Sequence, residues 1–305
     1  MAKLNIYDQV RSNKRKSWFL FFFFIILISA LGVAFGFYFG SPIFGTAIAA
    51  TIAIVYGLIA YYSGAKMILK MSGARPVTKK EFPHLYHTVE GLALAAGVPK
   101  PKCYVIDDTA LNAFATGRDP KHAAVTVTTG LLKVMNRQEL EGVIAHEMSH
   151  VKNLDIRMMM LAAVMVGVVT LISDFMFRSF LWGGHGRSRD RSSGGGGNIG
   201  IILIAVAVIL AILAPIVAQL IKLAISRKRE FLADANGAML TRYPPGLASA
   251  LTKIRQDPDP LVDKANKATA HLFISTPFRK TKSIMSRAFA THPDINERIR
   301  RLKKM

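Results

Sequence analysis

The chain has 305 residues, of which 51% are hydrophobic and 19% are charged, and its mean hydropathy is +0.30. It is too apolar for an ordinary soluble domain and too charged for a bundle made only of membrane helices. The single cysteine, Cys103, excludes an internal disulfide and a metal cluster held by several thiolates.

The net charge of +21 is compatible with binding to nucleic acid or to an anionic membrane surface. The basic residues cluster beside apolar stretches, and we find no nucleic-acid-binding motif. We therefore expect an anionic lipid surface as a partner and no nucleic acid, while the oligomeric state stays unknown. The basic clusters are Lys14 to Lys16, then Lys66, Lys70, Arg75, Lys79 and Lys80, then Lys222 and Arg227 to Arg229.

The first apolar stretch predicts two membrane-spanning helices. Residues 17–65 contain no Asp, Glu, Lys or Arg, which is enough chain for two spans of about 20 residues each. Gly-Ser-Pro at 40–42 interrupts the stretch where a tight turn is required. Residues 1–65 are thus predicted to form a basic segment and a transmembrane hairpin, with helices at about 18–39 and 43–62. The alternative, a cleaved signal peptide, has a shorter apolar region and a cleavage site.

Positively charged residues mark the cytoplasmic side of a membrane protein. The basic N-terminus therefore predicts a cytoplasmic domain at 66–157, a second transmembrane hairpin at 158–221 and another cytoplasmic part at 222–305. The second hairpin would use helices at about 158–182 and 199–221. Its connecting loop is basic, which opposes this orientation, so complete crossing by this hairpin stays open. The expected location is the plasma or inner membrane, with multiple spans and both termini in the cytoplasm.

The cytoplasmic part begins with an amphipathic helix at about 82–96. Residues 101–106 and 123–128 are rich in β-branched residues and predict strands. Between them lies the sequence Asn-Ala-Phe-Ala-Thr-Gly at 112–117.

A second helix carries the most informative motif. Asn136 followed by Glu139 predicts a capping box at its start, and the helix then contains His146-Glu147-Met148-Ser149-His150. Histidines four residues apart lie on one helix face and can bind one metal ion, while the glutamate between them can activate water. The alternative is two surface histidines in a chance match, expected on the order of 0.01 times in such a chain.

Two imidazoles leave a tetrahedral metal ion in need of a third protein ligand. Glu230 and Asp234 follow the fourth predicted span and have the E-x-x-x-D spacing of the gluzincin proteases. At 1.5 Å per residue, His150 and Glu230 lie about 10 and 12 Å from their spans, at similar heights above one membrane face. Glu230 is predicted to bind the metal and Asp234 to accept the outer N–H of a ligand histidine. The alternative is an ordinary acidic pair.

These features together resemble the HtpX-type membrane-bound zinc endopeptidases, relatives of the CAAX prenyl endopeptidases. The resemblance implies a multi-pass membrane protease that holds one Zn²⁺ per chain and cleaves misfolded or damaged membrane proteins under stress. It covers nearly the whole chain: both hairpins, the motifs at 112–117 and 146–150, the segment 226–234, Thr291-His292-Pro293 and Arg298.

The resemblance also implies further site residues. Asn112 and Phe114 become candidates for substrate binding, because a substrate peptide can dock as an added strand on a sheet edge. His292 would donate a hydrogen bond to the developing oxyanion, and Arg298 would help to organise that region. Without the resemblance, an ordinary loop and a solvated histidine are the alternatives.

The predicted fold class is an α+β integral membrane protein, mainly α-helical, with two transmembrane hairpins and a cytoplasmic gluzincin-like zinc protease domain that contains a small β-sheet. The predicted function is hydrolysis of peptide bonds in cytoplasmic regions of membrane proteins, with Glu147 as the base. One rival is a catalytically inactive zinc-binding membrane scaffold. Another is a metal transporter, which would require ionisable residues inside its spans.

Overall fold

The structure is a computed structural model that describes residues 6–38, 40–168, 227–258, 272–274 and 293–305. The fourth predicted span and most of the third lie outside the described residues, and so does His292.

Two long helices, α1 (Ile6–Tyr38) and α2 (Pro42–Met71), form an antiparallel pair. Pro42 occupies the first turn of α2, where its fixed φ suits a helix start. Glycines allow close contact near the turn, because a Cβ on Gly32 would lie 2.3 Å from the Cβ of Ala49. Both helices extend beyond the apolar stretch, as nothing in the flanking polar sequence stops a helix before Gly73, whose φ is 65°. Among the described helices, α2 is the one whose length and composition would allow it to cross a membrane.

The remaining elements follow in chain order, with α6 described only as far as residue 168. They are β1 (Arg75–Pro76), α3 (Pro83–Ala96), β2 (Lys102–Ile106), β3 (Ala113–Thr116), a 3-10 turn (Pro120–His122), β4 (Ala124–Thr128), α4 (Thr129–Val134), α5 (Arg137–Lys152), α6 (155–168), α7 (Arg227–Thr241), α8 (Pro244–Gln256) and α9 (Ile295–Leu302). The predicted helix at 82–96 and the predicted strands at 101–106 and 123–128 are confirmed within one residue.

The sheet is mixed and has the order β1-β2-β4-β3. β2 and β4 are parallel, whereas β1 and β3 pair antiparallel with their neighbours. The motif Asn-Ala-Phe therefore enters an edge strand, β3, and α5 packs against this strand. In the described residues, the mostly helical structure with a small mixed sheet confirms the α+β part of the predicted class, while the two transmembrane hairpins and the cytoplasmic domain stay predictions.

Two apolar clusters lie on either side of β3, since side chains alternate along a strand. Ala113 and Ala115 belong to the cluster built around α3, α5 and α8. Phe114 belongs to the other cluster, which is formed with α1, α2 and α6. The sheet edge thus lies between the α5 helix and the two long N-terminal helices.

Candidate metal centre

Helix α5 brings two histidines onto one buried face. The predicted capping box is present, since Asn136 Oδ1 accepts from the N–H of Glu139 and the Glu139 carboxylate accepts from the N–H of Asn136. His146 and His150 lie further along the helix and one turn apart. Their Nε2 atoms are 3.2 Å from each other. Both side chains are buried.

Helix α7 supplies the carboxylate that completes the group. Glu230 has one carboxylate oxygen 3.8 Å from His146 Nε2 and the other 3.6 Å from His150 Nε2. The two helices come this close because α7 presents a glycine to α5: a Cβ on Gly237 would lie 3.0 Å from the backbone nitrogen of His146.

This donor set fits a zinc ion. One ligand atom from each of His146, His150 and Glu230 lies within 4.8 Å of the others, and all three residues are buried. Tetrahedral zinc with bonds of about 2.0–2.1 Å holds two nitrogens about 3.3 Å apart, close to the histidine separation seen here. Two imidazoles and one carboxylate leave a fourth position for solvent or substrate, as catalytic zinc sites require.

Asp234 lies beside His146, one turn after Glu230 on α7. Its Oδ1 is 3.0 Å from His146 Nδ1, so an N–H there directs the Nε2 lone pair towards the other ligands. Arg298 of α9 donates two hydrogen bonds to the same carboxylate, Nε to Oδ2 at 2.9 Å and Nη2 to Oδ1 at 2.7 Å. Burial raises the pKa of Asp234, but Arg298 and His146 outweigh it and lower that pKa to about 2.

Asp155 is the corresponding partner of His150, and the sequence did not suggest it. Its Oδ2 lies 3.0 Å from His150 Nδ1. The chain reaches this position through a tight turn after α5, in which Leu154 adopts a φ of 59°. Burial lowers the pKa of His150, but the hydrogen bond to Asp155 and the charges of Glu230 and Glu147 raise it to about 9.

Glu147 lies between the two histidines in sequence and is buried, with 2% of its surface exposed. Burial raises the pKa of its carboxyl group, and Glu230 adds to this effect, while His146, His150 and Arg298 oppose it. A carboxyl group with a raised pKa is a stronger base than a solvated one, which suits proton transfer near neutral pH.

The predicted substrate-binding residues lie in and beside the edge strand, and their side chains are buried. The Asn112 carbonyl accepts from the N–H of Thr128 in β4, and the Asn112 N–H donates to the Thr128 side-chain Oγ1. The Phe114 ring packs against Phe273 with centroids 5.1 Å apart. On the outer edge, the carbonyl of Ala113 accepts a hydrogen bond of 2.9 Å from Ile274 N–H. The side chains of Asn112 and Phe114 therefore do not face solvent in this structure.

Arg298 contacts several groups of the centre. Besides Asp234, its Nη1 donates to the carbonyl of Ile274 at 3.2 Å and lies 3.9 Å from the Glu230 carboxylate. The sequence predicted only a loose organising role, and no spacing rule identifies a contact between residues 64 positions apart.

Paired histidines on one helix, a carboxylate from a second helix and an adjacent buried glutamate together define a metallopeptidase centre. The chain matches Peptidase family M48 over residues 79–305 and belongs to this family. It is therefore a metalloprotease.

Relatives match over the full length. The Protease HtpX homolog of Dictyoglomus thermophilum is 48% identical over 305 residues, which are 100% of this chain and 96% of the relative. The homolog of Streptococcus gordonii is 42% identical over 301 residues, covering 98% of this chain and all of the relative. The crystal structure of S. mikatae Ste24p shares the fold, with a TM-score of 0.50 and 20% identity over 97% of this chain and 67% of that chain.

Proposed function

We propose that this chain is a zinc-dependent membrane endopeptidase that hydrolyses peptide bonds in cytoplasmic regions of misfolded or damaged membrane proteins. The observation that carries this proposal is the buried group of His146, His150 and Glu230 beside the buried carboxyl group of Glu147.

His146, His150 and Glu230 would hold the zinc ion. When bound, zinc supplies a Lewis acid that lowers the pKa of water and polarises a carbonyl group. Glu147 takes a proton from the attacking water and then delivers it to the leaving amine. Asp234 holds the His146 ring in the tautomer that presents Nε2 to the metal.

The membrane part of the proposal rests on α1 and α2. Large apolar side chains of α2 face outwards, with Ile43 85% and Phe44 66% exposed, as expected for contact with lipid. Exposed Lys14, Lys16 and Lys66 lie where these helices leave the apolar stretch and suit acidic lipid headgroups. Two hairpins, with both termini and the catalytic part in the cytoplasm, complete the proposed arrangement.

We further propose that substrate docks along β3. The support is the position of β3 at the sheet edge beside α5, since main-chain pairing at such an edge binds extended peptides with little side-chain selection. Asn112 and Phe114 would shape this edge from within. An oxyanion role for His292 remains part of the proposal through the family resemblance.

The test compares the parent chain with Glu147→Gln, both purified at full length in detergent. We expect the parent to bind one zinc ion and to cleave an unfolded membrane-protein substrate until a chelator is added. Glu147→Gln should retain the zinc ion, measured by elemental analysis, and lose activity by on the order of 10²–10⁴-fold.

A ligand variant is the control for this experiment. His146→Ala should lose zinc and activity together, because it removes a ligand. Unchanged cleavage by Glu147→Gln would show that another group acts as the base, and a parent that binds zinc without any cleavage would identify an inactive scaffold.

A further inference from the structure

A buried polar cluster lies behind His150, on the side away from Glu230. Asp155 accepts from His150 through Oδ2, and its other oxygen, Oδ1, accepts from Asn13 Nδ2 at 2.7 Å and from Arg229 Nη1 at 3.3 Å. Asn13, Asp155 and Arg229 are 1%, 2% and 5% exposed. The cluster joins the N-terminal helix α1, the start of α6 and the ligand helix α7.

Both polar atoms of the Asn13 side-chain amide have partners in this cluster. Its Nδ2 group donates to Asp155 and, at 2.8 Å, to the main-chain carbonyl of Asn153 in the turn after α5. Its Oδ1 lies 3.5 Å from Arg229 Nη1. The amide therefore fixes both the carboxylate and the turn that carries it.

On the basis of the proposed zinc function, we propose that Asp155 is a positioning residue for the metal site. Asn13, from the N-terminal helix, holds Asp155 in place. Asp155 fixes the tautomer and ring angle of His150, as Asp234 does for His146. Both histidines thereby present Nε2 to the same point.

The turn supports this reading independently. Leu154 is not glycine, yet it adopts a left-handed φ of 59° while being buried, a strained conformation that persists only where the surrounding structure imposes it. The hydrogen bond from Asn13 to the adjacent Asn153 carbonyl is one such restraint. The turn ends at Asp155, which begins α6 and points back to α5.

A buried residue of α1 close to this cluster provides a suitable control. Ser17 lies one turn after Asn13 on α1 and is equally buried, but its hydroxyl donates only to the Asn13 carbonyl of its own helix at 2.8 Å. Removing that hydroxyl should disturb α1 without changing the position of Asp155.

The experiment uses the full-length protein in detergent and four variants: Asn13→Ala, Asp155→Asn, their double variant and Ser17→Ala. Each metal-free protein is titrated with Zn²⁺ against a chelator of known affinity, and its Co²⁺ form is examined by visible absorption. We expect Asp155→Asn and Asn13→Ala each to lower zinc affinity, the former by about 10–100-fold, and to change the Co²⁺ spectrum. Asp155→Asn keeps the side-chain shape, and thermal unfolding checks that each variant is folded.

The double variant decides whether Asn13 acts through Asp155. If it does, the double variant should bind zinc no more weakly than Asp155→Asn alone, because the two losses are not independent. Multiplied losses, or parent-like affinity in Asn13→Ala, would overturn the inference while leaving zinc binding by the parent intact. Failure of the parent to bind zinc would instead overturn the proposed function and the inference with it.

Discussion

Arg298 shows how much of the metal centre depends on one buried side chain far along the chain. Its paired hydrogen bonds to Asp234 neutralise a carboxylate that would otherwise carry an uncompensated charge beside His146. A planar guanidinium can make two parallel bonds to a carboxylate, whereas an ammonium group cannot.

We therefore expect Arg298→Lys to lower zinc affinity by about 10–100-fold although the charge is retained, because Asp234 no longer fixes His146. Chelator competition on the purified protein measures this. Arg300→Lys on the same helix is the matched control, since Arg300 is exposed and, within the described part of the chain, pairs with Glu297 of α9. Equal affinities for the parent and Arg298→Lys would show that Asp234 orients His146 without help.

The sequence motifs predict the proposed ligands and the histidine partner Asp234, but they do not predict the other partners of the site. His146 and His150 share a face because of helical spacing alone, and Glu230 and Asp234 repeat that spacing. Asn13, Asp155 and Ile274 join the site through contacts that depend on a turn or on distant segments, so no local pattern indicates them.

Helices α5 and α8 pack closely against each other because Gly142 of α5 has no side chain. A Cβ on Gly142 would lie 2.6 Å from the backbone nitrogen of Leu247, which is closer than real Cβ contacts allow. Backbone cannot give way as a side-chain end can, so α8 would have to shift.

We expect Gly142→Ala to destabilise the protein by about 1–3 kcal/mol, measured by denaturant unfolding in detergent. Gly91→Ala is the control, because a Cβ added to Gly91 in α3 would meet no atom within 4 Å apart from its chain neighbours and the local helix backbone. That change should stabilise the protein by roughly 0.5–1 kcal/mol, because alanine favours a helix more than glycine does. Destabilisation of equal size in both variants would contradict the close approach of α8.

The capping box of α5 also gives a pH-dependent prediction. The buried Glu139 carboxylate accepts from Asn136 N–H, from Ser249 and from Lys253 Nζ at 2.6 Å, so it ties the start of α5 to α8. Burial raises the pKa of Glu139, but these hydrogen bonds outweigh it and lower the pKa below its ordinary 4.5. The charged form is thus favoured by folding.

Glu139→Gln should lower the free energy of unfolding by about 1–3 kcal/mol at pH 7, because Lys253 loses its charged partner. A lowered folded-state pKa contributes stability above the unfolded pKa of 4.5 and loses it as pH falls through the folded value. The difference from the parent in urea unfolding should therefore shrink at pH 4. A constant difference would exclude the charge as its source.

Element boundaries followed from sequence wherever a local stop was present. Pro83 and the left-handed Gly97 delimit α3, and the capping box begins α5. For α1 and α2 the apolar stretch marked only the apolar part of each helix, because the helical backbone continues into the polar sequence on either side. The burial of Phe114 was not predictable, since it needs the partner Phe273 from a distant segment.

The orientation proposed for the chain in the membrane can be tested by cysteine labelling, because Cys103 is the single native cysteine. Cys103 is buried, and burial raises the pKa of its thiol, so it should not react with a membrane-impermeant maleimide. Exposed Ser41 in the turn between α1 and α2 and exposed Lys80 before α3 lie on opposite sides of the proposed membrane.

In intact cells we expect Ser41→Cys to be labelled from outside and Lys80→Cys to be labelled only after permeabilisation. The parent chain reports background from Cys103. The reverse pattern would invert the proposed orientation, and labelling of both variants in intact cells would show that residues 42–71 do not cross the membrane.

The hydrogen bond from the Ile274 N–H to the Ala113 carbonyl affects how an extended peptide could pair with β3. A peptide that adds to β3 at Ala113 exchanges one main-chain hydrogen bond for another and gains none there. Releasing the resident segment also exposes Phe273, at about 1.5–3 kcal/mol for a fully buried ring. Under the docking proposed above, a substrate has to displace this resident segment, so we expect long unfolded stretches that pair at many positions to bind better than short peptides.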